Sequence, residues 1–437
     1  MYKNSIKIGL AGAGTVGGGV IKILDKEIDF FRNKLLLPLE LTKIATLEPE
    51  RLKNFPVGNA KIVSDGLEIA NDPEIDIVIE LIGGTTIAKK IVMTAIENGK
   101  HVITANKKLI AEHGPEIFDA ADKKNVSVYF EAAVGGGMPT IKTTRESLIG
   151  NDTLSFYGII NGTCNYILTK MTEEGSDFNE TLKKAQELGY AEADPTLDID
   201  GGDTGHKTAI MASLLFDGFV NYSKMKVEGI RHITTEDINF AKDLGYKIKL
   251  LGIAKKSLHE DAVEVRVNPV MLPENHILAN VRDVFNAALF TGDAVGDIML
   301  YGKGAGELPT ASAVISDLVD VARNIMSGDA KRIPMRAYSH ENEMTLKTPA
   351  ETIDRFYLRF SVNDKPGVIG VIATILGNHN VSIASIDQSE RHDDNSVPVI
   401  FTTDEANEQD VLNAVKEIEK NQFITDTTKF IRIIEEE

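Results

Sequence analysis

The chain has 437 residues, an apolar fraction of 43% and a formal net charge of −18, so it is too long for one ordinary core and is expected to divide into two to four domains. Its carboxylates are scattered and no Lys/Arg stripe stands out, which argues against nucleic acid as a partner, because phosphate binding needs clustered positive charge. One cysteine, Cys164, leaves no internal disulfide framework or cysteine zinc cluster, no apolar run approaches the roughly 20 residues of a membrane span, and Lys7 and Gly9 break up the N-terminal apolar residues that a signal peptide would need; a reducing, cytoplasmic setting without membrane contact is expected.

In the first third, short β-branched runs alternate with helical stretches, the pattern of a parallel sheet covered by helices. Strands are expected at Ile6–Ala11, Leu39–Ala45, Ile75–Leu81, His101–Thr104 and Val126–Phe130, with helices at Ile87–Glu97 and Glu116–Lys124. The first strand runs into Gly12-Ala13-Gly14-Thr15-Val16-Gly17 and then an apolar helix. There Gly12 permits a tight turn, Gly14 lets backbone approach a pyrophosphate, and Gly17 lets helix and strand pack closely, so a dinucleotide site is expected. Near the end of the second strand, Glu48 could accept the ribose hydroxyls of NAD, whereas Arg51 or Lys53 could pair with the extra phosphate of NADP, and the choice stays open. Thr104-Ala105-Asn106-Lys107-Lys108 follows a later strand at the carboxyl edge, where Lys107 could reach cofactor or substrate oxygen and Lys108 reads as a solvated charge.

The breaker cluster Gly135-Gly136-Gly137-Met138-Pro139 marks a boundary and reads physically as a hinge. A dinucleotide-binding domain is expected at 1–135 and an α+β domain for substrate, catalysis and dimerisation at 136–336. The latter has strands at Ser155–Ile160 and Ala262–Pro269, helices at Phe178–Leu188 and Thr204–Phe216, and a helix at Thr310–Arg323 suited to packing back on the first domain. Between the first two of these helices, five carboxylates (Glu192, Asp194, Asp198, Asp200, Asp203) precede Lys207. A solvated acidic loop would look similar. However, Lys207 stands at helical spacing from Asp203 and from Ile210, Met211 and Leu214, which puts a cation at a buried helix start, against the local preference. Such a lysine can protonate the alkoxide that forms when an aldehyde is reduced and stabilise its charge; Glu192 and Asp198 are candidates to hold a substrate ammonium group.

Residues 337–352 read as a polar linker. Strands at Phe356–Val362, Ser382–Gln388, Val397–Thr403 and Thr428–Ile434 and helices at Val368–Asn378 and Glu408–Glu419 follow, in the βαββαβ order of a ferredoxin-like unit over 353–437.

Gly12-x-Gly14-x-x-Gly17, Thr104-Ala105-Asn106-Lys107, Glu131 through Pro139, Asn161 through Leu168, Gly189-Tyr190-x-Glu192-x-Asp194-Pro195, Asp198-x-x-Gly201-x-Asp203-x-x-x-Lys207 and Gly304-Ala305-Gly306 occur in family order over roughly the first three-quarters of the chain. Together they resemble homoserine dehydrogenases, and Phe360 through Val368, with the Pro366-Gly367 turn, resembles the start of an ACT domain. The resemblance implies a Rossmann-type domain, reversible NAD(P)-dependent reduction of L-aspartate 4-semialdehyde to L-homoserine, Lys207 as acid/base beside Asp203, Glu192 on substrate and Lys107 near the reacting centre. It further implies Gly189 and Gly306 in the cofactor cleft, and a monovalent cation, usually sodium, on the Glu131 carboxylate and the carbonyls of Val134, Gly136 and Met138. A homodimer or homotetramer and a threonine effector at the ACT domain complete what it implies, in the form without a kinase domain. Two alternatives are another semialdehyde or amino-acid-linked dehydrogenase on the same scaffold and a non-enzymatic amino-acid sensor.

Overall fold

The computed structural model describes residues 5–257, 262–338, 342–388 and 396–435. Met1 to Asn4, and residues 339–341 of the expected linker, lie outside them.

The first 130 residues alternate strand and helix: β1 (Ile6–Ala11), α1 (Thr15–Lys26), β2 (Leu39–Ala45), β3 (Lys61–Val63), α2 (Gly66–Ala70), β4 (Ile77–Glu80), α3 (Thr86–Glu97), β5 (His101–Thr104), α4 (Lys107–Lys124) and β6 (Val128–Tyr129). Their sheet has the order β3-β2-β1-β4-β5-β6, and every pairing is parallel. The chain order reverses beside β1, so a crevice opens at the carboxyl ends of β1 and β4, where doubly wound sheets bind ligands. Residues of β4 are buried on both faces, as a central parallel strand requires. The helix expected from Glu116 starts nine residues earlier, at Lys107. Pro115 lies inside α4, where the Asn106 cap and the buried Leu109, Ile110 and Ala111 secure the turns before it.

The middle region carries α5 (Thr140–Lys142), β7 (Thr153–Ile159), α6 (Gly162–Glu174), α7 (Phe178–Glu187), α8 (Thr196–Ile199), α9 (Gly202–Leu215), β8 (Lys226–Val227), α10 (Thr235–Asp243), β9 (Tyr246–Lys256), β10 (Val263–Pro273), β11 (Phe285–Gly292), β12 (Gly296–Lys303) and α11 (Glu307–Ser327). A single interior line was expected for the helix at Lys207, but α9 is buried nearly all round, from Asp203 to Leu214. α11 returns to the first sheet: a side chain on Gly19 of α1 would meet the Glu307 carbonyl at 2.7 Å and Ala311 at 2.9 Å.

The last unit contains β13 (Ile353–Asn363), α12 (Val368–Asn378), β14 (Ile383–Gln388), β15 (Ser396–Thr403), β16 (Ala406–Asn407), α13 (Glu408–Ile418) and β17 (Lys429–Ile433). It is a ferredoxin-like βαββαβ, but not a free appendage. β17 pairs in parallel with β10, Val270 with Arg432 and Met271 with Ile433, so the two regions share one sheet in the order β12-β11-β7-β9-β10-β17-β13-β15-β14. Residues 342–347 are tied down as well: Met344 N–H donates to Phe219 O, and Lys347 N–H to Val263 O, each at 2.9 Å.

Candidate active site

Gly12 ends β1 with φ +103°, and a side chain there would strike the Leu81 carbonyl at 2.6 Å. A Cβ on Gly17 would lie 2.1 Å from the Gly12 oxygen, whereas Gly14 faces open space, with nothing within 4 Å. Thr15 and Val16 begin α1 with no side-chain cap, and Ala13 is buried beneath the turn. Unpartnered N–H groups at a helix start, with clear space before Gly14, fit a pyrophosphate. Beyond β2, Arg51 pairs with Glu48 at 2.7 Å, both more than half exposed. Gly306, at φ +123°, precedes α11, whose Glu307 pairs with Lys22 of α1 at 2.6 Å, which brings this turn beside the helix of the cradle.

Glu80, fully buried at the end of β4, was missed in the sequence. Its carboxylate accepts from Ile82 N–H at 2.8 Å, Gly83 N–H at 3.2 Å and the Thr104 hydroxyl at 2.7 Å. The Thr104 oxygen accepts from Asn106 N–H at 3.0 Å, and the Asn106 amide donates to Gly84 O at 2.6 Å and caps α4 through Leu109 N–H at 3.1 Å. Two strand ends and the helix that opens at Lys107 thus form one network. A lone acid in the apolar run Ile77–Leu81 was the available signal.

The two lysines meet on one carboxylate. Lys207 Nζ lies 2.6 Å from Asp203 Oδ2 and donates to Ile160 O at 2.7 Å; Lys107 Nζ lies 3.1 Å from Asp203 Oδ1. Asn161, capping α6, donates through Nδ2 to Asp203 and Asp198, each at 2.8 Å. Burial alone would push the Asp203 carboxyl up, but Lys207 and then Lys107 hold it well below the usual carboxylate range. Asp203 in turn raises Lys107 against the opposing effect of burial. Asp198, half-buried, is raised by burial and by Asp203, and accepts from the Thr163 hydroxyl at 3.3 Å. The single proton of that hydroxyl is shared with Tyr190 O, the nearer acceptor at 2.7 Å, which draws in the loop from Gly189 (φ +75°) to Glu192. Glu192 stands in solvent, and its charge adds to the field at Lys107. The sequence motif that contains Asn161 assigns it no role; only the fold reveals that one amide serves both carboxylates.

The Gly-rich stretch is a built corner. Glu131, 2% exposed, accepts from Ile141 N–H at 3.0 Å and Lys142 N–H at 2.8 Å. Burial and the neighbouring Asp317 push its carboxyl up to about 8. The Val134 and Met138 carbonyls each accept one hydrogen bond from Thr140, at 2.8 Å, and keep a second lone pair. One buried carboxylate among carbonyl oxygens suits a hard cation. Among the described residues, no group of three or more His, Cys, Asp or Glu could hold a metal ion.

A phosphate-ready glycine turn at a topological switch point, with a lysine pair on a buried carboxylate beside it, defines a nicotinamide-dinucleotide-dependent oxidoreductase. Residues 12–131 match the family described as homoserine dehydrogenase, NAD binding domain, residues 139–319 match homoserine dehydrogenase, and residues 356–420 match the ACT domain. The homoserine dehydrogenase of Neisseria gonorrhoeae is 43% identical over 430 residues, 98% of each chain. The crystal structure of a homoserine dehydrogenase from Thiobacillus denitrificans superposes with TM-score 0.93 at 40% identity, covering 99% of each chain, and that from S. aureus with TM-score 0.76 at 33% identity, covering 98% of this chain and 99% of that one. The chain belongs to the homoserine dehydrogenase family, and is therefore an enzyme that interconverts L-aspartate 4-semialdehyde and L-homoserine, with an ACT domain at its C-terminus. The non-enzymatic sensor falls away.

Proposed function

We propose that Lys207 is the acid/base of this reaction, held by Asp203, with Lys107 as a second cation at the reacting oxygen. The observation that carries this reading is the convergence of both lysines on Asp203 beside the sheet crevice. The bound nicotinamide supplies or takes up the hydride. Lys207 spends two of its three N–H donors on Asp203 and Ile160 O; the third is left for the substrate oxygen, which it protonates as the aldehyde is reduced and from which it takes the proton back in oxidation. Lys107 stabilises the same negative charge. Glu192 receives the substrate ammonium group, with Asp198 behind it. Gly12 to Gly17 hold the pyrophosphate, and Gly189 and Gly306 border the cofactor cleft. The Glu48–Arg51 pair makes the ribose end compatible with NAD and NADP alike.

The corner formed by Glu131 and the carbonyls of Val134, Gly136 and Met138 takes a monovalent cation, sodium by preference. The ACT domain takes threonine, whose carboxylate suits the start of α12, in a homodimer or homotetramer, because such a module binds its effector between two copies. Among the described residues no helix is long and apolar enough to cross a membrane; the cytoplasm is the proposed site of action. The working limits are 1–135 for the dinucleotide domain, 136–336 for the catalytic one and 353–437 for the ACT domain.

The test is a steady-state assay of aspartate semialdehyde reduction with NADH and NADPH in parallel, with and without sodium. Lys207→Ala should lower kcat on the order of 10²-fold or more while coenzyme affinity holds. Near-normal turnover would remove Lys207 from the role.

A further inference from the structure

His206 immediately precedes Lys207 on α9 and is 2% exposed. Neither ring nitrogen has a hydrogen-bond partner among the described residues. Two unmet polar atoms on a buried ring are costly and call for a physical reason. The imidazole is stacked on Tyr222, centroids 4.0 Å apart and planes at 24°. Tyr222 has room there because residue 205 is glycine; a Cβ on Gly205 would lie 2.7 Å from its ring. The stack holds Nε2 3.6 Å from Oε1 of Glu112, which projects from α4. That separation is too long for a hydrogen bond and short enough for a sub-ångström shift to make one.

The location gives the gap its meaning. α4 opens with Lys107, and α9 carries Asp203 and Lys207 in its first turns. The approach of His206 to Glu112 therefore lies between the two helices whose starts meet at Asp203. The groups facing the ring are Glu112 and Lys108 from α4, Asp203 from its own helix, and Tyr222. Burial lowers the basicity of the imidazole against the pull of Glu112 and Asp203, so near neutral pH it is an uncharged ring with one N–H to give.

We propose that His206 and Glu112 are a positioning pair: the imidazole donates to the carboxylate as α4 and α9 close on substrate, and this sets the distance from Lys107 to Asp203 during turnover. The proposal rests on the catalytic reading of Lys107 and Lys207 given above. Neither His206 nor Glu112 touches the reacting atoms. Their effect passes through the 3.1 Å Lys107–Asp203 contact, and that contact governs how late Lys107 loses its proton as pH rises, because Asp203 is the first cause of its raised pKa.

The experiment measures kcat, KM and the pH profile of homoserine oxidation for the full-length chain and for Glu112→Ala, His206→Phe, His206→Gln and Lys207→Ala. Glu112→Ala and His206→Phe are expected to lower kcat about tenfold, within the hundredfold cost of an ångström-scale misplacement, with coenzyme KM unchanged. Their alkaline limb should move to lower pH, because a lengthened contact lets Lys107 deprotonate earlier. His206→Gln keeps an N–H donor and should retain most of the wild-type profile. A purely structural role would lower thermal stability and leave the limb in place; wild-type limbs in both Glu112→Ala and His206→Phe, with Lys207→Ala inactive, overturn the proposal. Should His206→Phe fail to fold, Glu112→Ala, at an exposed position, decides alone. Substantial turnover in Lys207→Ala would instead defeat the catalytic reading.

Discussion

At the residue scale, the site is an exercise in keeping charge in place. Asp203 is 4% exposed and would be a poor anion alone, yet two ammonium groups and one amide surround it. Asn161 is the hinge of this arrangement, because its single Nδ2 serves Asp198 and Asp203 while its Oδ1 caps α6 at Cys164 N–H, 2.8 Å away. Asn161→Ala removes all three bonds and leaves two neighbouring carboxylates with less to separate them. It is expected to cost about 1–2 kcal/mol through the lost cap and to lower kcat more than it raises KM. Asn161→Asp would add a third negative charge and should be worse than alanine in kcat. Initial rates beside a thermal melt check both, and a variant with normal kcat would show that Asn161 only starts a helix.

At the element scale, the decisive unit is the carboxyl edge of the first sheet. β4, β5 and α4 are bound together by Glu80, whose carboxylate takes the two N–H groups of the turn after β4 and the hydroxyl of Thr104. Without it, the Ile82–Gly84 turn and the Asn106 cap lose their common anchor, so Lys107 loses its fixed start. Glu80→Ala should therefore raise coenzyme KM, because the freed turn closes against Gly12, and also reduce kcat. Unfolding would be easier by about 1–3 kcal/mol, since buried donors lose their acceptor. Glu80→Gln, which keeps an acceptor for the turn and swaps the other oxygen for a donor, should fall between the two. Equal losses in both variants would mean that charge, and not hydrogen-bond geometry, is what the position requires.

At the scale of the whole molecule, the ACT domain is fused to the catalytic region by backbone pairing and by two buried charge clusters. Arg359 of β13 binds Asp237 at 2.7 Å, and Asp237 completes the capping box with Thr234 at the start of α10. Arg432 of β17 binds Glu408 at 2.7 Å and Glu228 at 3.1 Å. Arg359 thereby ties the ACT sheet to α10, which packs on α6, the helix that Asn161 caps. Removal of one member of such a cluster leaves buried charge unpaired, so Arg432→Ala should destabilise the protein by about 3–5 kcal/mol. The cluster also has a pH signature. Burial pushes the Glu408 carboxyl up, but Arg432 and Lys226 bring it down to about 2. Its folded value is below the unfolded value of about 4.3, so its stabilisation is complete above that pH and is lost as pH falls toward the folded value. The difference in melting temperature between wild type and Glu408→Gln should hence shrink between roughly pH 5 and pH 2. A constant difference over that range would exclude the ion pair as its source.

Much was legible in one dimension. Turn glycines, β-branched runs and the capped, amphipathic helices are set by local backbone sterics and by period, and so β1, β2, β5 and α12 lie where the sequence placed them, as does the βαββαβ order of the last unit. The spacing of Asp203 and Lys207 is one helical turn, a relation the chain carries by itself. What only the tertiary structure decided are the long-range meetings. Lys107 reaches Asp203 across 96 positions of chain, Glu80 gathers Thr104, and β17 adds to β10. β9, missed because the alternation of Lys247 to Leu250 gives way to the unbroken run Leu250 to Ala254 around Gly252, became a central strand; Lys249 is 4% exposed and donates to Asn165 and Val281 O at 3.0 and 2.6 Å. The physical reason is common to all of them: a local pattern states which face of an element is apolar, whereas a buried charge or strand edge is tolerable only once a distant partner satisfies it, and that partner is named by packing alone.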